Sequence, residues 1–150
     1  MKVEEVYHIF PVGVIKKGEQ SAFVEIDEKY GEALVGLDKF SHILLICWFH
    51  ESDSQELRAT LQVHPRGDRK KPLKGVFATR SPVRPNPIAL FPSRIRGVHG
   101  NRIEIDPVDA FDGTPVLDMK PYIPEGDSIP EAMVPGWVKD LKRQEEREPT

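Results

Sequence analysis

Cysteine is nearly absent from this 150-residue sequence: Cys47 stands alone. That excludes an internal disulfide and any zinc site built on several thiolates. Long apolar runs are missing too. No stretch reaches the roughly 18 residues that a membrane-spanning helix needs, so no membrane association is expected. Met1-Lys2-Val3-Glu4-Glu5 has no signal-peptide pattern, and cytoplasmic residence is the expectation. Neither a G-x-G-x-x-G fingerprint nor a Walker loop occurs, so no Rossmann or P-loop nucleotide site is indicated. No G-x-S-x-G elbow or Cys/His pattern points to acyl transfer. His42, His50, His64 and His99 share no metal-ligand spacing, and no metal is expected.

What is present reads as one globular domain spanning 1–150, with 39% hydrophobic and 30% charged residues. The net charge of −3 hides an asymmetry. Between Arg66 and Arg102 lie ten basic residues (Arg66, Arg69, Lys70, Lys71, Lys74, Arg80, Arg84, Arg94, Arg96, Arg102) and one acid, Asp68. Such a block either forms a positive face for an anionic partner or meets acids elsewhere in the fold.

β-Branched and aromatic residues predict strands over Val3–Ile15 and Ala22–Ile26, with a turn at Lys17-Gly18-Glu19. Tyr30–Phe40 reads as a turn or short helix. The apolar run His42–Phe49 reads as a strand buried on both faces, with Cys47 a core thiol. Further strands are expected over Glu56–Val63, Gly75–Thr79, Ile88–Val98, Arg102–Asp106 and Val116–Ile123. His99-Gly100-Asn101 suits a hairpin turn. A basic loop follows His64-Pro65-Arg66-Gly67, and 130–150 reads as a tail with a helix over Trp137–Arg147. Seven or so short strands with little helix predict a mainly β fold, a closed β-barrel with short peripheral helices.

Three segments could carry chemistry. Pro82, Pro85 and Pro87 lock φ and remove three donors within Arg80–Pro87, so that run is not a central strand. It is either a rigid ligand-gripping segment, a stiff crossover or a polyproline ligand. Asp118, Lys120 and Tyr122 alternate on a predicted strand and share one face. They could orient a substrate and move a proton, or form an ion pair beside a packed Tyr. His50-Glu51 closes the apolar strand at a rim position.

The blocks Phe40-Ser41-His42-Ile43, His50-Glu51 and Gly75-Val76-Phe77-Ala78-Thr79-Arg80-Ser81-Pro82-x-Arg84-Pro85-Asn86-Pro87-Ile88 resemble the TsaA-like family in order and spacing. Asp112-Gly113-Thr114-Pro115-Val116-Leu117-Asp118-x-Lys120-Pro121-Tyr122 and Asp127-Ser128-Ile129-Pro130 continue the match. The resemblance implies a closed barrel, a homodimer, and S-adenosyl-L-methionine as methyl donor. TrmO-type members are tRNA methyltransferases acting on N6 of threonylcarbamoyladenosine beside the anticodon, so tRNA is the implied partner. Family-style donor contacts fall on Pro11, Val12, Gly13, His50, Glu51, Arg80, Leu90, Asp109, Ala110, Phe111 and Asp112. Asp118, Lys120 and Tyr122 are the candidate catalytic residues, with Glu51 a second candidate base. Val83, Ala89 and Phe91 stand where an aromatic, Gly and Ser are usual, and the last two add bulk near that pocket. Two other classes stay open: a non-catalytic donor-binding or protein-interaction module, and a methyltransferase with another acceptor.

Overall fold

The computed structural model describes residues 4–145. Six antiparallel strands make the main sheet: β1 (Gly13–Lys17), β2 (Ala22–Ile26), β3 (His42–Trp48), β6 (Ile88–His99), β7 (Arg102–Ile105) and β8 (Pro115–Pro121). Their order is β1-β2-β7-β6-β3-β8, and β8 returns to β1, closing a barrel. The short strands β4 (Gln62–Val63) and β5 (Lys74–Gly75) pair outside this ring. Helices are brief: α1 (Gln55–Ala59), α2 (Pro124–Asp127) and α3 (Gly136–Glu145), with 3₁₀ turns between strands. Among the described residues no helix is long and apolar enough to cross a membrane.

Period-two alternation fills the barrel. Ala22, Val24 and Ile26 of β2 point inward, as do Ile43, Leu45 and Cys47 of β3 and Ile103 and Ile105 of β7. Ile15, Ala89 and Val116 complete this interior. The expectation that β3 is buried on both faces is corrected: Leu44, Ile46 and Trp48 are half-buried on the outer side. The β6–β7 hairpin turns at Gly100, whose φ of 62° lies where a Cβ is strained. Burial of the Cys47 thiol pushes its pKa up to about 12.

Other boundaries differ for identifiable reasons. Val3–Ile15 is strand only from Gly13; Val3 lies outside the described residues. Upstream, Pro11 has no N–H to donate to a ladder, and the β1–β2 pairing ends where Gly13 meets Ile26, the last residue of β2. Glu56–Val63 is not one strand. The Ser54 hydroxyl accepts from the Leu57 N–H at 3.2 Å and starts α1, leaving only β4 extended. Gly75–Thr79 becomes β5 and then a 3₁₀ turn over Val76–Ala78, closed by Thr79 N–H donating to the Val76 carbonyl. Five strands, β2, β3, β6, β7 and β8, agree within two residues of their expected ends. In the tail, 130–135 carries no helix, α3 covers Trp137 to Glu145, and 146–147 lie outside the described residues.

Candidate active site

A cavity of about 930 Å³ opens where the end of β3, the start of β6 and the 109–114 loop converge. Its polar lining is Lys17, His50, Glu51, Ser52, Arg80, Arg84, Asp109 and Thr114. Phe49 and Phe91 supply an aromatic wall, their rings edge to face with centroids 6.2 Å apart. Ala89, Leu90, Ala110 and Phe111 extend that apolar surface.

The proline run forms one wall through local bonds. The Thr79 hydroxyl accepts from Ser81 N–H at 3.2 Å, and the Ser81 hydroxyl accepts from Val83 N–H at 3.1 Å. These are successive hydroxyl-capped turns. Arg84 folds back on the same loop, its Nη1 donating to the carbonyls of Thr79 at 3.2 Å and Ser81 at 3.0 Å. Phe49 N–H then ties the end of β3 to the Pro87 carbonyl at 2.7 Å. Arg84 is thereby committed to shaping the run. Arg80 is exposed and lines the cavity without a hydrogen-bond or ion-pair partner for its guanidinium among the described residues.

His50 and Glu51 form a 3₁₀ turn with Ser52 that also lines the cavity; His50 Nε2 lies 3.4 Å from Glu51 Oε1. Thus His50, Glu51, Arg80, Leu90, Asp109, Ala110 and Phe111 are brought together. Asp112 is not a liner. Its Oδ1 accepts from the Lys17 N–H at 2.8 Å, so its carboxylate joins β1 to the loop before β8. Ile15 N–H to the Thr114 carbonyl and Gly113 N–H to the Ile15 carbonyl complete that seam.

Pro11, Val12 and Gly13 lie apart from the cavity. They line a shallower depression with Glu25, Asp27 and Asn101. Asp118, Lys120 and Tyr122 do not line the cavity either. Lys120 Nζ sits 3.0 Å from Asp118 Oδ2, and Tyr122 packs edge-on to His42. They occupy the outer wall, where Asp118 pairs with Ile46 and Ile46 with Leu90. Two strand spacings, about 10 Å, therefore separate Asp118 from a cavity-lining residue in the same cross-strand row. Lys17, Phe49, Ser52 and Thr114 were not expected in the lining; the first three are strand-end or loop residues outside the motif blocks, and Thr114 lies inside one without having been singled out.

The basic block divides. Arg96 pairs with Asp106, and Arg102 reaches Glu25 at 3.7 Å while its guanidinium covers Phe23. Lys74 lies over Trp137, 5.8 Å from the ring centre. Part of the positive charge is thus neutralised or stacked inside the fold.

An S-adenosyl-L-methionine-sized ligand fits these residues chemically. The cavity combines an unpartnered guanidinium for a carboxylate, acceptors at Glu51 and Asp109 for hydroxyls or an amine, and aromatic walls for a base.

Residues 9–128 match the tRNA-methyltransferase O N-terminal domain family. The protein of Methanocaldococcus jannaschii named "probable S-adenosyl-L-methionine-binding protein" is 46% identical over 114 residues, covering 76% of this chain and 90% of that one. The Homo sapiens tRNA (adenine(37)-N6)-methyltransferase is 43% identical over 69% of this chain, which spans 23% of its length. The crystal structure of TrmO from Pseudomonas aeruginosa superposes with a TM-score of 0.68 at 29% identity, over 86% of this chain and 62% of that one. The ring topology, the cavity-lining motif blocks and this match agree: the chain belongs to the tRNA-methyltransferase O N-terminal domain family.

Proposed function

We propose that this chain binds S-adenosyl-L-methionine in the 930 Å³ cavity and methylates an adenine N6 of tRNA, with threonylcarbamoyladenosine beside the anticodon as the acceptor. One observation carries the reading: Arg80, unpartnered among the described residues, faces a cavity that also holds two carboxylates and an aromatic wall. Bound there, the donor supplies an electrophilic methyl group. Arg80 holds its amino-acid carboxylate through a planar, two-donor fork. Glu51 and Asp109 accept from its hydroxyl or ammonium donors. Phe49, Phe91 and Leu90 exclude water, which favours an in-line displacement that consumes charge.

The acceptor base then lies over the outer row from Leu90 through Ile46 toward Asp118. The adenine N6 is a weak nucleophile that must shed a proton, and a carboxylate takes it. Glu51 stands in the lining and Asp118 at the far end of that row. Lys120 and Tyr122 beside Asp118 offer donors to a carbamoyl or carboxylate group on the substrate.

A donor-binding module without catalysis is the competing reading, favoured by the Asp118–Lys120 pair closed on itself outside the cavity. Mass spectrometry of tRNA nucleosides from cells lacking the protein separates the two. Loss of the methylated threonylcarbamoyladenosine supports the transferase, and an unchanged profile refutes it. An Asp118→Asn protein that keeps full single-turnover rate with normal tRNA binding excludes Asp118 as the base.

A further inference from the structure

Two walls of the cavity come from segments outside the barrel ladder: the His50–Ser52 turn, and the proline run with Arg80. The run cannot anchor itself through backbone donors at positions 82, 85 and 87. Its acceptors remain, and Arg58 on α1 meets them. Arg58 Nε donates to the Pro85 carbonyl at 2.8 Å, and Nη2 donates to Asn86 Oδ1 at 3.3 Å. Its Nη1 donates to Asp53 Oδ1 at 3.3 Å. Asp53 directly follows the His50–Ser52 turn, and its other oxygen accepts from Trp48 Nε1 at 3.0 Å. The guanidinium also lies 5.6 Å from the centre of the Trp48 ring.

We propose that Arg58 is a positioning residue of the donor site, a claim that rests on the donor reading above. Arg58 does not line the cavity. Its rigid fork joins the Glu51-bearing wall to the Arg80-bearing wall and fixes the distance between their charged groups. Lysine keeps the charge but offers its donors from a single point, so it cannot span Pro85, Asn86 and Asp53 together. The effect on ligand therefore runs through where Arg80 stands.

Titration calorimetry with S-adenosyl-L-methionine on the full chain tests this in four proteins: wild type, Arg58→Lys, Arg80→Ala and the double variant. Arg58→Lys is expected to weaken binding about tenfold in the wild-type background and less than twofold in the Arg80→Ala background, since coupled sites are non-additive. Unchanged binding by Arg58→Lys, or equal losses in both backgrounds, overturns the positioning role while leaving the donor reading intact. Failure of the wild type to bind overturns both. If Arg58→Lys melts far below wild type, Asn86→Ala removes one acceptor only and carries the same comparison.

Discussion

Replacing Arg80 with alanine separates stability from binding. The guanidinium has no bond to lose among the described residues, so unfolding free energy should change by no more than about 0.5 kcal/mol. A hydrogen bond to a charged group contributes about 1.5–3 kcal/mol, and the exposure of Arg80 places it at the lower end of that range. Since about 1.4 kcal/mol is a factor of ten, donor affinity should fall about 10- to 30-fold. Calorimetry would compare S-adenosyl-L-methionine with methylthioadenosine, which keeps the nucleoside and lacks the amino-acid carboxylate. Arg80→Ala should weaken the first ligand and leave the second nearly unchanged. Equal losses for both ligands, no loss for either, or a melting temperature that falls in step would refute the assignment of Arg80 to the carboxylate.

Other outcomes follow from the same geometry. Lys70→Gln, in the basic loop between β4 and β5, should lower the slope of log affinity for tRNA against log salt by about one if Lys70 meets a phosphate; an unchanged slope removes it from the interface. Gly13→Ala drives a Cβ into the Glu25 carbonyl oxygen, a backbone atom held in the β1–β2 pairing. Destabilisation of about 1–3 kcal/mol in urea unfolding is expected. The Cys47 thiol, raised from its ordinary 9.0 to about 12, stays protonated in the native state at pH 8 and should resist alkylation until denaturant is added. Because the unfolded thiol ionises first, its contribution to stability is complete below pH 9 and falls as pH rises toward 12.

The barrel strands were legible where alternation is strict. Ala22, Val24 and Ile26 interleave with Phe23 and Glu25, and Arg102-Ile103-Glu104-Ile105 repeats the pattern. Alternation was hidden in β3, because Leu44, Ile46 and Trp48 cover its outer side with apolar atoms. The N-terminal stretch misled because Val6, Tyr7, Ile9 and Phe10 have strand-like side chains but lie upstream of Pro11, beyond the last β1–β2 pair at Gly13; they are 54% to 80% exposed. Proline spacing alone marked the run Arg80–Pro87 as rigid. It said nothing of which arginine was free, since Arg84 is spent on two carbonyls that only the folded loop presents. Asp112 sits within a motif that suggested ligand contact, yet its carboxylate reads the β1 backbone, a contact between positions 95 apart that no local pattern encodes.

That contact bears on how the barrel assembles. β1 meets β8 through only two registered pairs, Gly13 with Val116 and Val14 with Pro115. Closing a loop of this span costs roughly 4 kcal/mol of chain entropy before any constant term. So long a closure with so few rungs should form late, and weakening it should hasten unfolding more than it slows folding. The 109–114 loop at this joint also lines the cavity. A ligand seated there braces the last joint to form, so it should lengthen the lifetime of the folded state as well as deepen its free energy.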